Sequence, residues 1–265
     1  MDQAGGYDEY GFVAEFYDFV EPYRQRPDIG FYVELARQSG GPVLEIGCGT
    51  GRVLLPIARS GIEINGLDLS PGMLATCERK VAQEPADVQA RVTLDMGDMR
   101  DFDLGRTFSL ATTPFRAFQH LETAEEQLSC LAAIRRHLRP GGKLVLDLFN
   151  PSLPFLTDEA RLEEWGDEPD ILMADRRHVR RRFRIARRDW FAQIQDSEII
   201  YYVTHTDGRE ERLVHSFPMR YIFRYEAEHL LARSGFEVEM LYSDFEASPY
   251  GAKYPGELIF VARRS

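Results

Sequence analysis

The chain of 265 residues is predicted to adopt an α/β fold: a doubly wound sheet of seven strands with an antiparallel last strand, plus a small antiparallel β insertion. Two patterns predict this fold. From residue 41 to about residue 150, short apolar runs alternate with helical segments, as in βαβ units. Between residues 178 and 222 the pattern becomes an alternation rich in aromatic residues around a Thr206-Asp-Gly208 turn, which indicates hairpin-connected strands.

The first apolar run is followed by a loop rich in glycine. Val43–Ile46 is predicted to be a buried strand, and Arg52–Arg59 to begin a helix. Between them, Gly47, Gly49 and Gly51 allow a sharp turn in which the backbone lies against a ligand, because no Cβ atom is in the way. The N-terminus of the following helix offers free N–H groups to an anion. Without a ligand, the same loop would be only a tight turn.

The spacing of these glycines distinguishes between two kinds of cofactor. Dinucleotide-binding loops usually have the spacing G-x-G-x-x-G, whereas this loop has G-x-G-x-G with Glu45 just before it. A carboxylate at the mouth of the loop would repel a pyrophosphate. It suits a ligand that carries an amino group beside a carboxylate, as S-adenosylmethionine does. The loop therefore favours this methyl donor over NAD.

The second predicted strand, Ile62–Asp68, ends in an acid 23 residues after Glu45. In doubly wound folds an acid at this position accepts hydrogen bonds from ribose hydroxyls. Ser70 and Pro71 are residue types that begin helices, and Met73 in the first turn is placed to pack on an adenine ring.

A third predicted strand, Arg91–Asp95, leads to Asp98 and Met99. Asp98 is predicted to accept a hydrogen bond from the adenine amino group, and Met99 to offer its backbone N–H to the ring. Each acid alone would also fit a solvated strand end. Acids after three consecutive strands of a βαβ pattern indicate one shared ligand site.

The remaining strands of the sheet are predicted from later segments. The fourth strand is Phe108–Thr112, and a helix with a Thr123-Ala-Glu-Glu126 capping box follows it and stops at Pro140-Gly-Gly142, before a fifth strand. The last two strands are residues 237–242 and 257–262. Because few residues join these two strands, they must be antiparallel.

Four of these segments resemble the successive motifs of class I S-adenosylmethionine-dependent methyltransferases: EIGCGTG (45–51), GLDLSPGML (66–74), GDM (97–99) and LRPGGKLVLDLF (138–149). The resemblance is specific because the motifs occur in the right order and spacing. It implies a Rossmann-like fold with S-adenosylmethionine as cofactor and S-adenosylhomocysteine as product. The glutamate and first two glycines would line the methionine part, Asp68 the ribose, and Asp98 and Met99 the adenine. The full set of implied cofactor-binding residues is Glu45, Gly47, Cys48, Gly49, Gly51, Asp68, Leu69, Met73, Asp98 and Met99.

Beyond the cofactor motifs, the chain more loosely resembles bacterial small-molecule methyltransferases, including the amino-sugar N-methyltransferase type. The predicted organisation has four parts: an N-terminal helical cap (1–40), the cofactor-binding core (41–150), an antiparallel β insertion that forms a lid on the acceptor side (151–222), and the end of the core (223–265).

The cap is predicted to contain helices at residues 7–20 and 28–39. Aromatic residues lie near one face of the first helix and would pack on the core. The family resemblance adds a second interpretation, in which Tyr17 closes the cofactor pocket and takes part in catalysis.

The acceptor is expected to contact residues 112–120, because open α/β sheets bind ligands at the carboxyl ends of their strands. Methyl transfer needs mainly orientation, and a general base only if the nucleophile must lose a proton. His120 is the candidate base, since histidine titrates near neutrality, although it would alternatively pack under the next helix. Phe115 and Phe118 are predicted as apolar walls or core, and Arg116 as a ligand for an anionic group or as a solvent-facing residue.

Three histidines of the insertion, His178, His205 and His215, are further candidates if that sheet covers the pocket. No H-x-x-x-H pattern or carboxylate cluster indicates a metal site. The segment after the fourth strand also lacks the Asn/Asp-Pro-Pro-Tyr element that is typical of enzymes methylating planar amines in DNA, RNA or protein amides.

The composition excludes several other classes. The net charge of −11 makes nucleic acid an unlikely partner, since neutralising phosphates drives such binding. No apolar run has the length of a membrane span, and the N-terminus lacks the features of a secretory signal. The three cysteines show no metal or disulfide spacing, so we expect a cytoplasmic protein. A monomer and a homodimer are both compatible with the sequence.

One segment, residues 176–188, holds eight arginines. It is predicted to be either a strand whose arginines face solvent and pair with acids, or a patch for an anionic substrate or RNA. The sequence as a whole predicts a methyltransferase that acts on N or O of a small-molecule acceptor. Two alternatives stay open: an RNA or protein methyltransferase that docks through this segment, and a non-catalytic module that binds S-adenosylmethionine.

Overall fold

The computed structural model describes residues 11–166 and 168–265. Its helices and strands, in chain order, are α1 (Gly11–Tyr17), α2 (Glu21–Arg24), α3 (Ile29–Ser39), β1 (Val43–Ile46), α4 (Leu54–Arg59), β2 (Ile64–Asp68), α5 (Pro71–Val81), α6 (Ala86–Gln89), β3 (Val92–Met96), β4 (Phe108–Thr113), α7 (Ala124–His137), β5 (Leu138–Phe149), α8 (Leu153–Thr157), β6 (Ile171–Leu172), β7 (His178–Asp189), β8 (Ile194–Thr204), β9 (Glu210–Arg220), α9 (Arg224–Arg233), β10 (Phe236–Tyr242) and β11 (Glu257–Arg264). Two 3-10 turns, Pro114–His120 and Glu159–Leu162, complete the description. No helix within the described ranges is long and apolar enough to cross a membrane.

The larger sheet has seven strands in the order β10-β11-β5-β4-β1-β2-β3. Strand β11 is antiparallel to both of its neighbours, and the pairings from β5 to β3 are parallel. The chain moves outward from β1 in one direction and then in the other, so the sheet is doubly wound. The predicted fold class is confirmed, including the antiparallel last strand.

The smaller sheet is antiparallel and has the strand order β6-β7-β8-β9. Its long strands pair with Arg184 opposite Glu198 and Ile199 opposite His215, and the β7–β8 register shifts once, between Ile185 and Arg187. Sequence patterning predicted hairpin-connected strands here, and the sheet also contains the two-residue β6, which is too short for an alternating pattern to show. The Thr206-Asp-Gly208 turn lies between β8 and β9, as predicted.

Two layers of apolar side chains cover the two faces of the larger sheet. Successive strand residues point to opposite faces, so Leu44 and Ile46 belong to one layer and Val43 to the other. The first layer packs against α7 and α9, and the second against α3, α4 and α5. This burial holds the carboxyl ends of β1, β2, β3 and β4 in one row, where the ligand site lies.

Helix α1 packs against the smaller sheet on one side and against α5 on another. Phe16 packs against Tyr201 of β8, with ring centroids 5.4 Å apart, within an apolar cluster of the smaller sheet. Val13 and Ala14, on another side of the helix, pack with Met73 of α5. Of the predicted first helix, residues 7–10 lie outside the described part of the chain.

Two predicted helix boundaries differ from the structure. The helix after the fourth strand ends at His137 instead of continuing to Pro140-Gly-Gly142, and β5 begins at Leu138. A proline disfavours helical backbone angles at the residue before it, so the helix ends ahead of Pro140. The helix predicted to begin at Arg52 begins at Leu54, since turns extend the glycine loop to Val53. The Thr123 capping box is present, with both of its hydrogen bonds.

A buried histidine of the smaller sheet makes stability depend on pH. Burial, followed by the charge of His120, lowers the pKa of His215 from 6.5 to about 3. The unfolded chain therefore binds a proton that the folded chain excludes, and the folded state loses stability as the pH falls from 6.5 towards 3. The His215→Phe variant lacks this loss.

We expect the unfolding free energy of His215→Phe, relative to wild type, to rise as the pH falls below 6.5, by about 1.4 kcal/mol per pH unit. Urea titrations at neutral and mildly acidic pH measure this difference. A pH-independent difference between His215→Phe and the wild type would contradict the prediction.

Candidate functional site

Two cavities open at the carboxyl ends of the strands and adjoin each other. The smaller, of about 300 Å³, lies beside the glycine loop, and the larger, of about 1050 Å³, lies between the two sheets' ends and the cap. Phe115 and His120, from the 3-10 turn after β4, line both cavities. A ligand in the smaller cavity and a ligand in the larger one would therefore meet at this turn.

The glycine loop forms one wall of the smaller cavity through Gly47 and Gly49. Gly47 has a φ of 70°, and a Cβ atom there would lie 2.7 Å from Ala117. At Gly51, with a φ of 80°, a Cβ atom would lie 2.6 Å from the Cys77 sulfur. Both positions thus require glycine for backbone angle and for space. Gly51 and Cys48 lie behind the loop and do not line the cavity.

Asp68 lines the same cavity at the end of β2. Its carboxylate accepts hydrogen bonds from the backbone N–H groups of Gly49, at 2.7 Å, and Ser70, at 2.9 Å. Each carboxylate oxygen has two acceptor sites, so capacity remains for a ligand hydroxyl. The half-exposed Leu69 and the buried Met73 line the cavity on either side of this strand end.

Asp98 and Met99 lie at the far end of the smaller cavity, as their position after β3 predicted. Asp98 pairs with Arg100, whose Nε donates to its carboxylate at 2.8 Å. This hydrogen bond holds the pKa of Asp98 below its ordinary value. Arg100 also donates to Glu126 at 2.8 Å and lines the cavity, although sequence reasoning did not select it.

Glu45 does not lie at the mouth of the loop, which corrects the expectation from the sequence. The residue is 2% exposed on the interior strand β1, and burial raises the pKa of its carboxyl well above 4.5. Its Oε2 atom has no hydrogen-bond partner among the described residues. Glu45 precedes the loop by two residues and belongs to the strand, where its carboxyl interacts electrostatically with Arg52 and Asp28.

The turn after β4 has an unusual backbone. Phe115 and Arg116 have φ angles of 55° and 68°, in the left-handed region that most side chains avoid. The buried carboxylate of Asp147 accepts a hydrogen bond from the Phe115 N–H at 3.0 Å. Arg26 donates to the same carboxylate oxygen at 3.0 Å. Asp147 therefore ties the turn to the cap.

His120 is a neutral imidazole between the cavities. Burial lowers its pKa from 6.5 to about 4. It forms a hydrogen bond with the backbone of Pro218, and because proline has no N–H group, the imidazole must donate to the carbonyl oxygen. Its other ring nitrogen then keeps a lone pair. Histidine with so low a pKa holds a proton poorly, which weakens the predicted role as a general base.

Tyr17 lines the smaller cavity opposite the loop. Its ring lies against Tyr23, with centroids 4.9 Å apart, and Tyr23 in turn meets Phe115 edge to face at 4.8 Å. Burial raises the pKa of Tyr17 above its ordinary value, so the phenol stays protonated. The three rings form a continuous aromatic wall from the cofactor side to the acceptor side.

Some predicted acceptor residues lie elsewhere. Phe118 is fully buried in the layer that packs on α7 and lines neither cavity, so it is core and not a substrate wall. Arg116 does line the larger cavity, where it pairs with Glu257 at 3.4 Å instead of facing solvent. Of the insertion histidines, His178 is exposed and His205 pairs with Glu211 at 3.1 Å.

The arginine-rich segment is strand β7 and the turn before it. Arg187 pairs with Asp196 at 2.6 Å on the outer side of the smaller sheet. Arg181 is only 3% exposed and pairs with Glu168 at 3.0 Å. Arg181 and Arg184 line the larger cavity. Four of the segment's eight arginines thus pair with acids, and two of these four line the larger cavity.

Comparisons with known proteins agree with this geometry. The model of a methyltransferase domain family matches residues 43–142. A dTDP-3-amino-3,6-dideoxy-alpha-D-glucopyranose N,N-dimethyltransferase of Streptomyces fradiae is 33% identical over 53% of this chain and 54% of its own length. The chain belongs to the class I S-adenosylmethionine-dependent methyltransferase family. This membership confirms S-adenosylmethionine as the cofactor predicted from the loop.

Two further relatives extend the match. A dTDP-3-amino-3,4,6-trideoxy-alpha-D-glucopyranose N,N-dimethyltransferase of Streptomyces venezuelae is 29% identical over 68% of each chain. The solved structure of the CcbJ methyltransferase from Streptomyces caelestis superposes with a TM-score of 0.75 and 25% identity, over 98% of this chain and 100% of that one. The alignment to the Streptomyces fradiae relative spans about half of that protein's length.

The glycine loop yields a prediction with a matched control. Gly47→Ala and Gly105→Ala both place a side chain at a φ above 60°, but only the first meets another atom, at 2.7 Å. We expect Gly47→Ala to weaken S-adenosylhomocysteine binding at least about tenfold, and Gly105→Ala to leave it unchanged, as measured by titration calorimetry. Equal affinities for the two variants would show that the close approach at Gly47 does not shape the cavity.

Proposed function

We propose that the protein transfers a methyl group from S-adenosylmethionine to an amine nitrogen of a small-molecule acceptor. The observation that carries this proposal is the meeting of the two cavities at Phe115 and His120. A donor beside the glycine loop and an acceptor in the larger cavity can approach each other there. Holding two reactants in line supplies a large part of the rate acceleration in such reactions.

The residues of the smaller cavity fit the proposed cofactor. The Gly47 and Gly49 backbone leaves room for the methionine part, and Asp68 keeps acceptor capacity for ribose hydroxyls. Met73, Leu69, Asp98 and Met99 surround the remaining space, where the adenine would lie. Glu45 lies buried behind the loop, and its Oε2 atom has no hydrogen-bond partner among the described residues. When bound, S-adenosylmethionine supplies an electrophilic methyl group on a positively charged sulfur.

Nitrogen is the favoured nucleophile for two reasons. The two sugar-specific relatives are named as N,N-dimethyltransferases. A hydroxyl nucleophile would also require a base at the junction of the cavities, and His120, with a pKa of about 4, is a weak one. A free amine needs no base before it attacks.

The alternatives receive less support. Four of the eight arginines of 176–188, namely Arg177, Arg181, Arg184 and Arg187, pair with acids, which reduces the positive charge that this segment offers to RNA. A non-catalytic module would not need a second cavity that opens onto the methyl donor. The cytoplasmic location and the oligomeric state stay predictions.

The proposal is tested by supplying radiolabelled S-adenosylmethionine and a panel of matched amines and alcohols, including amino sugars. We expect label in amines, with one or two methyl groups added at nitrogen as shown by mass spectrometry. Transfer only to the alcohols would contradict the choice of nitrogen. Saturable cofactor binding without transfer to any acceptor, including a host-cell extract, would favour the non-catalytic module.

Asp68 provides a test of the cofactor assignment. Asp68→Asn removes the charge that strengthens hydrogen bonds to ribose hydroxyls, so we expect S-adenosylhomocysteine binding to weaken by about 1–3 kcal/mol. Asp87→Asn, which also removes one charge but lies on an exposed helix, should bind as the wild type does. Unchanged affinity in a folded Asp68→Asn variant would remove Asp68 from the cofactor site.

A further inference from the structure

The larger cavity is lined by many charges that cancel each other. Five arginine and lysine side chains and six carboxylates face it. The positively charged residues are Arg26, Arg116, Arg181, Arg184 and Lys253, and the acids are Glu21, Glu168, Glu198, Asp244, Glu246 and Glu257. His120 adds no charge because its pKa is about 4. The cavity therefore has no excess of positive charge for an anionic ligand.

Each of these five cations already has a carboxylate partner. Arg184 pairs with Glu198 at 2.6 Å, Arg181 with Glu168 at 3.0 Å and Lys253 with Asp244 at 2.7 Å. Arg26 and Arg116 share Glu257, at 3.4 Å in both cases. Arg26 is further held by two fully buried acids, Asp28 and Asp147.

This pairing matters for phosphate recognition. A diphosphate carries negative charge on both of its phosphates and is usually bound by arginine N–H groups in a bidentate geometry. In this cavity the arginines that could bind a diphosphate already pair with carboxylates. These carboxylates would lie beside the phosphates in a partly buried site, where like charges repel each other.

The rest of the lining is apolar and extensive. Eight aromatic side chains contribute to it: Tyr23, Phe115, Phe149, Phe155, Trp165, Phe183, Phe217 and Phe245. The volume of about 1050 Å³ slightly exceeds the range of about 300–1000 Å³ that is typical of drug-sized ligands. A single sugar ring would leave most of this aromatic surface uncovered.

We infer that the acceptor is a phosphate-free amine attached to a large, mainly apolar body, and not a nucleotide-linked amino sugar. This inference rests on the proposed function and specifies its acceptor. Two of the relatives are named for dTDP-linked amino sugars, so this chain would differ from them in its substrate. If the amine belongs to a sugar, a glycosyl transfer must precede methylation, because that reaction removes the nucleotide and attaches the sugar to its apolar partner.

The first test needs no turnover. Thymidine diphosphate is titrated into the protein saturated with S-adenosylhomocysteine, at low ionic strength, where charge attraction is strongest. We expect no saturable binding. Saturable binding that depends on Arg184 or Arg181, as shown by loss in the glutamine variants of these arginines, would overturn the inference.

The second test frees an arginine. Glu198→Gln removes the carboxylate opposite Arg184 in the β7–β8 register while keeping the side-chain shape. We expect this variant to show saturable thymidine diphosphate binding, which the wild type lacks. Glu239→Gln changes the net charge equally but lies on β10, where Glu239 pairs with Lys143 and Arg263, and should produce no gain.

Glu168→Gln, which frees Arg181, repeats the test at a second site in case one variant does not fold. If folded variants at both sites bind thymidine diphosphate no better than Glu239→Gln does, carboxylate pairing is not what excludes phosphate, and the inference fails.

The third test uses turnover of two acceptors that share one amino sugar, linked either to thymidine diphosphate or to a large apolar aglycone. We expect methylation of the second with a kcat/KM at least about a hundredfold higher. Preferred methylation of the nucleotide-linked sugar would overturn this inference while supporting the proposed function. Absence of methylation of every amine would instead contradict the proposed function and leave the binding tests to decide on phosphate.

Discussion

The site depends on a buried network of ion pairs that joins the cap to the sheet. Asp28 and Asp147 are both fully buried, and Arg26 donates to each, at 3.1 and 3.0 Å. Asp28 also receives both terminal nitrogens of Arg52, at 2.6 Å each, directly after the glycine loop. A buried carboxylate that loses its partner typically costs about 3–5 kcal/mol, so these groups constrain one another's positions. The cap, the loop and the end of β5 are thus held as one unit.

The same network shapes the boundary between the cavities. Asp147 accepts the Phe115 N–H group, which fixes a backbone conformation that costs of the order of 1–3 kcal/mol for a residue other than glycine. The guanidinium of Arg26 lies 5.1 Å from the Phe115 ring, and that of Arg52 lies 5.3 Å from it. Phe115 therefore keeps a defined position at the place where methyl donor and acceptor would meet. Strain at this residue is compensated by charges that the cap supplies, which explains why α2 and the following residues belong to the site.

Sequence alone predicted the parts of the site that depend on local order. Gly47, Asp68 and Asp98 follow three strands whose carboxyl ends must lie side by side in a parallel sheet, so their convergence follows from topology. Contacts between distant segments could not be predicted in this way. Asp147 shows the difference, since an acid within the apolar run LVLDLF indicates a special environment but does not reveal that Arg26, 121 residues away, is its partner. Phe115 and Phe118 were indistinguishable by type, and the left-handed turn decides which one reaches the cavities.

The match to the family model lies in the part of the chain that carries most of the smaller cavity's lining. The family model ends at residue 142, whereas the arginines and aromatic residues that line the larger cavity come mostly from the cap and from residues 149–257. Methyl transfer depends on the region up to residue 142, and the choice of acceptor depends on the lining of the larger cavity. The cofactor site and the acceptor site can therefore diverge separately. In this chain, charge pairing across β7 and β8 is built into the strand register, with Arg184 opposite Glu198. A change of acceptor charge would therefore require substitutions in the smaller sheet and none in the glycine loop. Under the proposed function, the smaller sheet is accordingly the element that would select the amine.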